Sequence, residues 1–245
     1  LNRSLCRGCA LGLALLVLSS EVFATGLQVW PTKVFVTTER GADGLRLRNN
    51  GKRVLHAQVR VFRWEQVNGE DVLEPTREVA VSPPMLELAP GAEHLVRVVR
   101  LGPPPVGSEA SYRLIVDELP IDETDAARKS GLQYVLRYSI PVFLSPRDTE
   151  QVSPVLHTRL VRDGRARFLE VENAGNGHAQ IADLAFVTGG QRRIIARGLS
   201  GYVLPGQRRR WALSDGLDLS GNGAFKARIN GEAAERTLAP AAAIR

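Results

Sequence analysis

Residues 45–62 read LRLRNNGKRVLHAQVRVF. Leu45 and Leu47 alternate with Arg46 and Arg48, and a second alternating run follows Asn49-Asn50-Gly51. A period of two on both sides of an Asn/Gly turn is the pattern of two antiparallel strands. The same grammar returns at 168–186, FLEVENAGNGHAQIADLAF. LAPGAEHLVRV at 88–98 is likewise echoed by VLPGQRRRWAL at 203–213. Two matched segments in the same order predict two similar sandwiches in tandem rather than one large sheet.

Outward from these segments the pattern continues. Strands are expected near 26–36, 44–49, 56–66, 72–80, 94–100, 111–118 and 132–144. VNGED at 67–71 and Ala89-Pro90-Gly91 are turns between them, GPPPVG at 102–107 is a rigid connector, and 121–131 is a polar hairpin loop. Few stretches have helical periodicity, so the fold expected is all-β: two immunoglobulin-like β-sandwich domains. SPRDTEQVSP lacks apolar alternation and is bracketed by prolines, which places a linker at 146–154 between domains at 25–145 and 155–245.

The chain opens LNRSLCRGCALGLALLVLSSEVFATG. Arg3 and Arg7 precede an apolar core, and Val22-Phe23-Ala24 forms a small-x-small cleavage site, so 1–24 reads as a secretory signal peptide. A membrane anchor is the competing reading, but the apolar run is about half of the roughly 20 residues a spanning helix needs. Both cysteines, Cys6 and Cys9, lie inside this segment, so no disulfide, thiol chemistry or zinc–thiolate site is expected beyond it. The formal net charge of +6 is spread along the chain, and the only basic run is Arg208-Arg209-Arg210, which reads as a strand edge rather than a nucleic-acid site. His56, His94, His157 and His178 are scattered without metal-ligand spacing and read as surface or strand residues. No nucleophile elbow or phosphate loop is present, so neither an enzyme, a cofactor, a metal nor a small-molecule substrate is expected. Trp30, Trp64 and Trp211 read as packing residues of core or groove rim.

LQYVLRYSIPVF at 132–143 raises a different question. Leu132, Tyr134, Leu136, Tyr138 and Ile140 share one face of a strand in which Pro141 has no N–H for a ladder. Such an edge is an aggregation hazard unless something covers it. Either these side chains fill the domain's own core, or a partner buries them. With LQVWPTKVFV at 27–36, SPPMLELAPGAEHLVRV at 82–98 and YRLIVDELP at 112–120, this stretch resembles the PapD-like periplasmic chaperones of the chaperone–usher pilus pathway.

The resemblance implies that the strand through Leu132, Tyr134, Leu136, Tyr138 and Ile140 is lent to pilus subunits that lack their last strand, until an outer-membrane usher exchanges it. It implies a subunit carboxylate anchor at Lys33, with Pro141 in the place of the family's second cation and acting as a strand-pairing stop. Arg97 is the first choice for a helper cation and Arg137 the second. Glu118 matches an acidic interdomain residue, although Ser145 stands where its arginine partner is expected. With no cysteines beyond residue 24 and only 121–131 before this strand, the chain does not resemble the long-loop, disulfide-bearing branch, and RYSIPVF, DVLEPT and GPPP look like the archaic branch that serves spore-coat-U-like pilins. A secreted two-domain adhesin or structural module, pairing its edge with itself or a host protein, is the alternative.

Overall fold

The computed structural model describes residues 26–119, 135–148, 151–219 and 222–240. The expected signal peptide, Leu132 and Tyr134 lie outside the described residues. In the first half the strands are β1 (Leu27–Trp30), β2 (Val34–Val36), β3 (Ala42–Asn49), β4 (Leu55–Val67), β5 (Glu70–Pro75), β6 (Val79–Ser82), β7 (Met85–Leu88), β8 (Glu93–Arg100), β9 (Ala110–Leu119) and β10 (Arg137–Leu144). They form two sheets, β1-β3-β8-β6 and β2-β10-β9-β4-β5, with β7 also paired to β4. The second half has β11 (Leu156–Asp163), β12 (Ala166–Asn173), β13 (Ala179–Thr188), β14 (Gln191–Val203), β15 (Arg208–Leu213), β16 (Ala224–Ile229), β17 (Glu235–Thr237) and β18 (Ala239–Pro240). Its sheets are β15-β12-β11-β18 and β14-β13-β16-β17. The protein is therefore an all-β pair of sandwiches, as the duplicated pattern predicts.

Alternation explains each core. Leu45, Leu47, Val96 and Val98 point inward while Arg46, Arg48, Leu95 and Arg97 point out, and together with Val59, Leu114 and Val142 they build the first apolar cluster. Leu169, Val171, Ile181, Leu184 and Ile229 build a separate one in the second half. Two expected strands are broken. The run 26–36 splits into β1 and β2, which belong to different sheets, and 72–80 splits into β5 and β6. A proline stands at each break (Pro31 and Pro75), where a missing N–H ends the ladder.

The duplication extends to the turns. Asn49, 1% exposed, donates through Nδ2 to the carbonyls of Arg53 and Leu88 at 2.7 and 2.9 Å, and its Oδ1 accepts from the Gly51 N–H at 2.8 Å. Asn173, fully buried, repeats this with the carbonyls of Gly177 and Val203 at 2.7 and 3.1 Å, and accepts from Gly175 and Val155 at 3.0 Å. Gly91 donates to the Asn49 carbonyl and Gly206 to that of Asn173, both at 2.8 Å. Each of these glycines is left-handed, with φ of 76° and 69°, which the two proline turns require. Replacing Asn173 with Ala strands several buried backbone groups, so a loss of about 3 kcal/mol is expected. Denaturant unfolding of Asn173→Ala against the parent measures it.

Candidate functional site: an open strand edge beside an interdomain cleft

β10 pairs antiparallel with β9 along its whole length, from Arg137↔Asp117 to Leu144↔Ala110. On its other side only Val142–Leu144 are paired, in parallel with β2. Among the described residues the edge from Arg137 to Pro141 has no strand beside it. Pro141 does not interrupt pairing with β9. It stands where the second edge passes from open to occupied by β2. Exposed Arg137 and Ser139 blunt the open part.

The two readings of the apolar face meet within this strand. Ile140 is 5% exposed and belongs to the first domain's own core with Val142 and Leu144. Leu136 and Tyr138 on the same face are only half-buried at the rim of that core, and the Tyr138 hydroxyl donates to the Leu27 carbonyl at 2.6 Å. On the opposite face Val135 is exposed, and Phe143 packs toward the second domain rather than into the first core. A face that fills the core at one end and runs out past it at the other offers its free end to a second sandwich.

The cations are arranged across strands. Arg113 lies opposite Pro141 on β9, and one step back from Val142↔Val34 sets Lys33 on Pro141's other side. Lys33, Pro141 and Arg113 therefore form a row, with the outer Cα atoms roughly 10 Å apart at ordinary strand spacing. Lys33 Nζ donates to Gln180 Oε1 at 3.0 Å. The Arg113 guanidinium lies 3.6 Å above the Trp64 ring and 5.2 Å from that of Tyr202. Gln180 and Tyr202 are cross-strand partners on β13 and β14, so both cations face one spot on the second domain. Burial pulls the Arg113 pKa below the usual arginine range, against the opposing charge of Asp71.

The other cation candidates fall elsewhere. Arg97 is exposed on the outer face of the β1-β3-β8-β6 sheet and is not brought to Lys33. Arg137 is bound at 2.5 Å to Asp117, which Arg60 also holds at 2.7 Å. Burial pushes the Asp117 carboxyl up, and these two guanidiniums outweigh it and hold the pKa below the usual range.

Glu118 is not interdomain. It sits at the end of β9 remote from the second domain, opposite Ala57, and its N–H donates to the Leu136 carbonyl. An acid that does reach the second domain is Glu109, one residue before β9 at its other end. Its Oε2 accepts from the His178 N–H at 2.7 Å and lies 2.8 Å from His178 Nδ1. His178, expected to be an ordinary surface or strand residue, is buried with its ring stacked 3.5 Å from that of Phe143. Trp64, Phe143, Tyr202 and Leu204 close the cleft floor. Gln66 bridges it, donating to the Tyr202 carbonyl at 2.8 Å and accepting from the Leu204 N–H at 3.0 Å. Arg209 of the basic run reaches Asp71 at 3.1 Å across the same junction. Ser145 takes no ionic part; its N–H donates to the Val36 carbonyl.

The sequence profile of the family described as pili and flagellar-assembly chaperone, PapD N-terminal domain, matches residues 26–150. The chain belongs to this chaperone family. A chain of the CsuC–CsuE chaperone–tip adhesion subunit pre-assembly complex, from archaic chaperone–usher Csu pili of Acinetobacter baumannii, is 25% identical. The match has a TM-score of 0.69 and covers 86% of this chain and 96% of that one. The CupB2 chaperone of Pseudomonas aeruginosa (15% identity, TM-score 0.60, 87% and 100% covered) shares the fold. So does a chain of the Salmonella enterica SafA pilin–SafB chaperone complex (18% identity, TM-score 0.61, 89% and 97% covered). No curated protein matches in sequence.

Two residues of this chaperone's site escaped the sequence reading. Arg113 faces Pro141 only through the β9–β10 register, and Glu109 meets His178 across a sequence separation of 69 residues. One signal was present. In β4 the apolar positions change parity, from Leu55, Ala57, Val59 and Val61 to Phe62 and Trp64. Such a switch marks a strand that leaves one buried face for another.

Proposed function

We propose that this chain is a periplasmic chaperone that binds incomplete pilus subunits by adding the open edge of β10 to their unfinished sheet and delivers them to an outer-membrane usher. Family membership supports the chaperone class over an adhesin, and the solved complexes it resembles hold a tip adhesion subunit and a pilin. Export through the leader at 1–24 and service to spore-coat-U-like pilins belong to the same reading. The observation that carries it is the unpaired Arg137–Pro141 edge ending on the row Lys33–Pro141–Arg113.

In this reading Leu136 and Tyr138, with Leu132 and Tyr134 beyond them, enter the subunit's groove, and Ile140 joins the two cores. The subunit's C-terminal carboxylate lies across Pro141 between Lys33 and Arg113. Proline puts no polar side chain or N–H in the way, and the half-dehydrated Arg113 gains the anion it lacks. One charge-assisted bond of roughly 1.5–3 kcal/mol predicts that Lys33→Ala weakens subunit capture some ten- to a hundredfold. Lys33→Arg keeps most of the affinity, Arg113→Gln adds a comparable loss, and Arg97→Ala changes nothing. Co-expression with a subunit and recovery of a 1:1 complex tests the function. A subunit that accumulates equally well without this chain contradicts it, and loss of capture in Arg97→Ala with full binding by Lys33→Ala overturns the anchor.

A further inference from the structure

The outer face of the β14-β13-β16-β17 sheet carries a second, separate constellation. Asp183 is the extra residue where β13 shifts register against both neighbours, and its φ of 51° is left-handed. A bulge of this kind re-aims a side chain. Here the Asp183 carboxylate is bound by Arg228 and accepts from the Gly198 N–H at 2.8 Å. Arg192 holds Glu235 with bonds of 2.9 and 2.6 Å and donates to the Asp183 carbonyl at 3.0 Å. Arg228 beside Asp183, and Arg192 beside Glu235, keep both carboxyls below their ordinary pKa.

These pairs line an open groove of about 320 Å³ together with Ile194, Arg197 and Ala233. Both carboxylates already have cations. The Arg197 side chain is exposed and, among the described residues, makes no ion pair or hydrogen bond. Lys226 adds positive charge on the same face of β16, and Ile194, 40% exposed, is an apolar step beside it. A planar guanidinium with no partner, held beside fixed neighbours and an apolar step, suits a carboxylate followed by an apolar side chain.

We propose that this groove is a docking site for an acidic segment of a protein partner, with Arg197 taking a carboxylate and Ile194 the neighbouring apolar group. It lies on the second domain, away from the β10 edge, so it is separable from subunit capture. A fluorescein-labelled hexaglutamate peptide, titrated by fluorescence polarisation at low ionic strength, is the probe. Arg197→Gln should weaken binding about tenfold and Arg197→Glu more, while Arg46→Glu, a surface reversal on the first domain, leaves it unchanged. Thermal unfolding of Arg197→Gln at the parent's midpoint shows that the fold is kept. Parental affinity in Arg197→Gln overturns the proposal, as does an equal loss in Arg46→Glu, which would make the attraction a diffuse one. Displacement of the peptide by equimolar inorganic phosphate would make the groove a small-anion site and also overturn it.

Discussion

Leu136→Glu is expected to abolish subunit capture while the free protein keeps its unfolding midpoint, and Ile140→Glu to unfold the first domain outright. Leu136, one residue before β10, and Ile140 within it lie on one face, four positions apart, so the chemistry of the substitution is matched. They differ in what covers them. Leu136 is half-open at the rim of the first core, where a carboxylate keeps most of its water in the free protein. In the complex that carboxylate would enter the subunit's apolar groove unpaired, at a cost of several kcal/mol. Affinity should fall by about a thousandfold or more. Ile140 is closed inside the host core, so the same penalty falls on folding itself. Circular-dichroism melting and subunit pull-down on both variants separate the outcomes. If Leu136→Glu melts as early as Ile140→Glu, the upper strand is internal core and no donor.

Trp64→Ala should cost about 3–5 kcal/mol, the usual range for a fully buried tryptophan. Unlike a core substitution, it should also split one unfolding transition into two. Trp64 is 1% exposed, yet it belongs to neither domain's apolar cluster. It packs edge-on against Tyr202, with ring centroids 5.4 Å apart, and carries Arg113 on its face. Its loss opens the floor of the cleft and leaves the Phe143–His178 stack and the polar contacts of Gln66, Glu109–His178, Lys33–Gln180 and Arg209–Asp71 to hold the domains together. Differential scanning calorimetry reads this directly. A single transition merely shifted downward would mean that the polar contacts suffice.

The sequence carried the duplication, because Asn49 and Asn173 sit in turns whose glycines and prolines recur in the same order. It also carried the open edge, because Pro141 forbids a ladder continuous on both sides of the strand and the alternation around it needs no partner to be seen. The site's far contacts were hidden for a physical reason. β9 spans Ala110–Leu119, and a strand of that length places its ends roughly 30 Å apart. Glu109 and Glu118 look interchangeable as acids near a strand end, yet only the first is at the domain junction. Arg113 faces Pro141 only once the β9–β10 register is known, and no short turn motif between the two segments specifies that register in the sequence. Arg97 shares the alternation of β8 with Val96 and Val98, which fixes its outward direction but not which sheet faces the cleft.

Amide hydrogen exchange along β10, free and subunit-bound, tests strand donation most directly. Alternate amides from Arg137 to Ile140 point to the open edge and exchange freely in the isolated protein. Strand addition predicts that those amides become protected by about a hundredfold or more in the complex. Amides already bonded to β9, and those of the edge strand β5, should change little. A stable complex in which the Arg137–Ile140 amides exchange as in the free chain, or in which β5 gains the protection instead, would contradict the account.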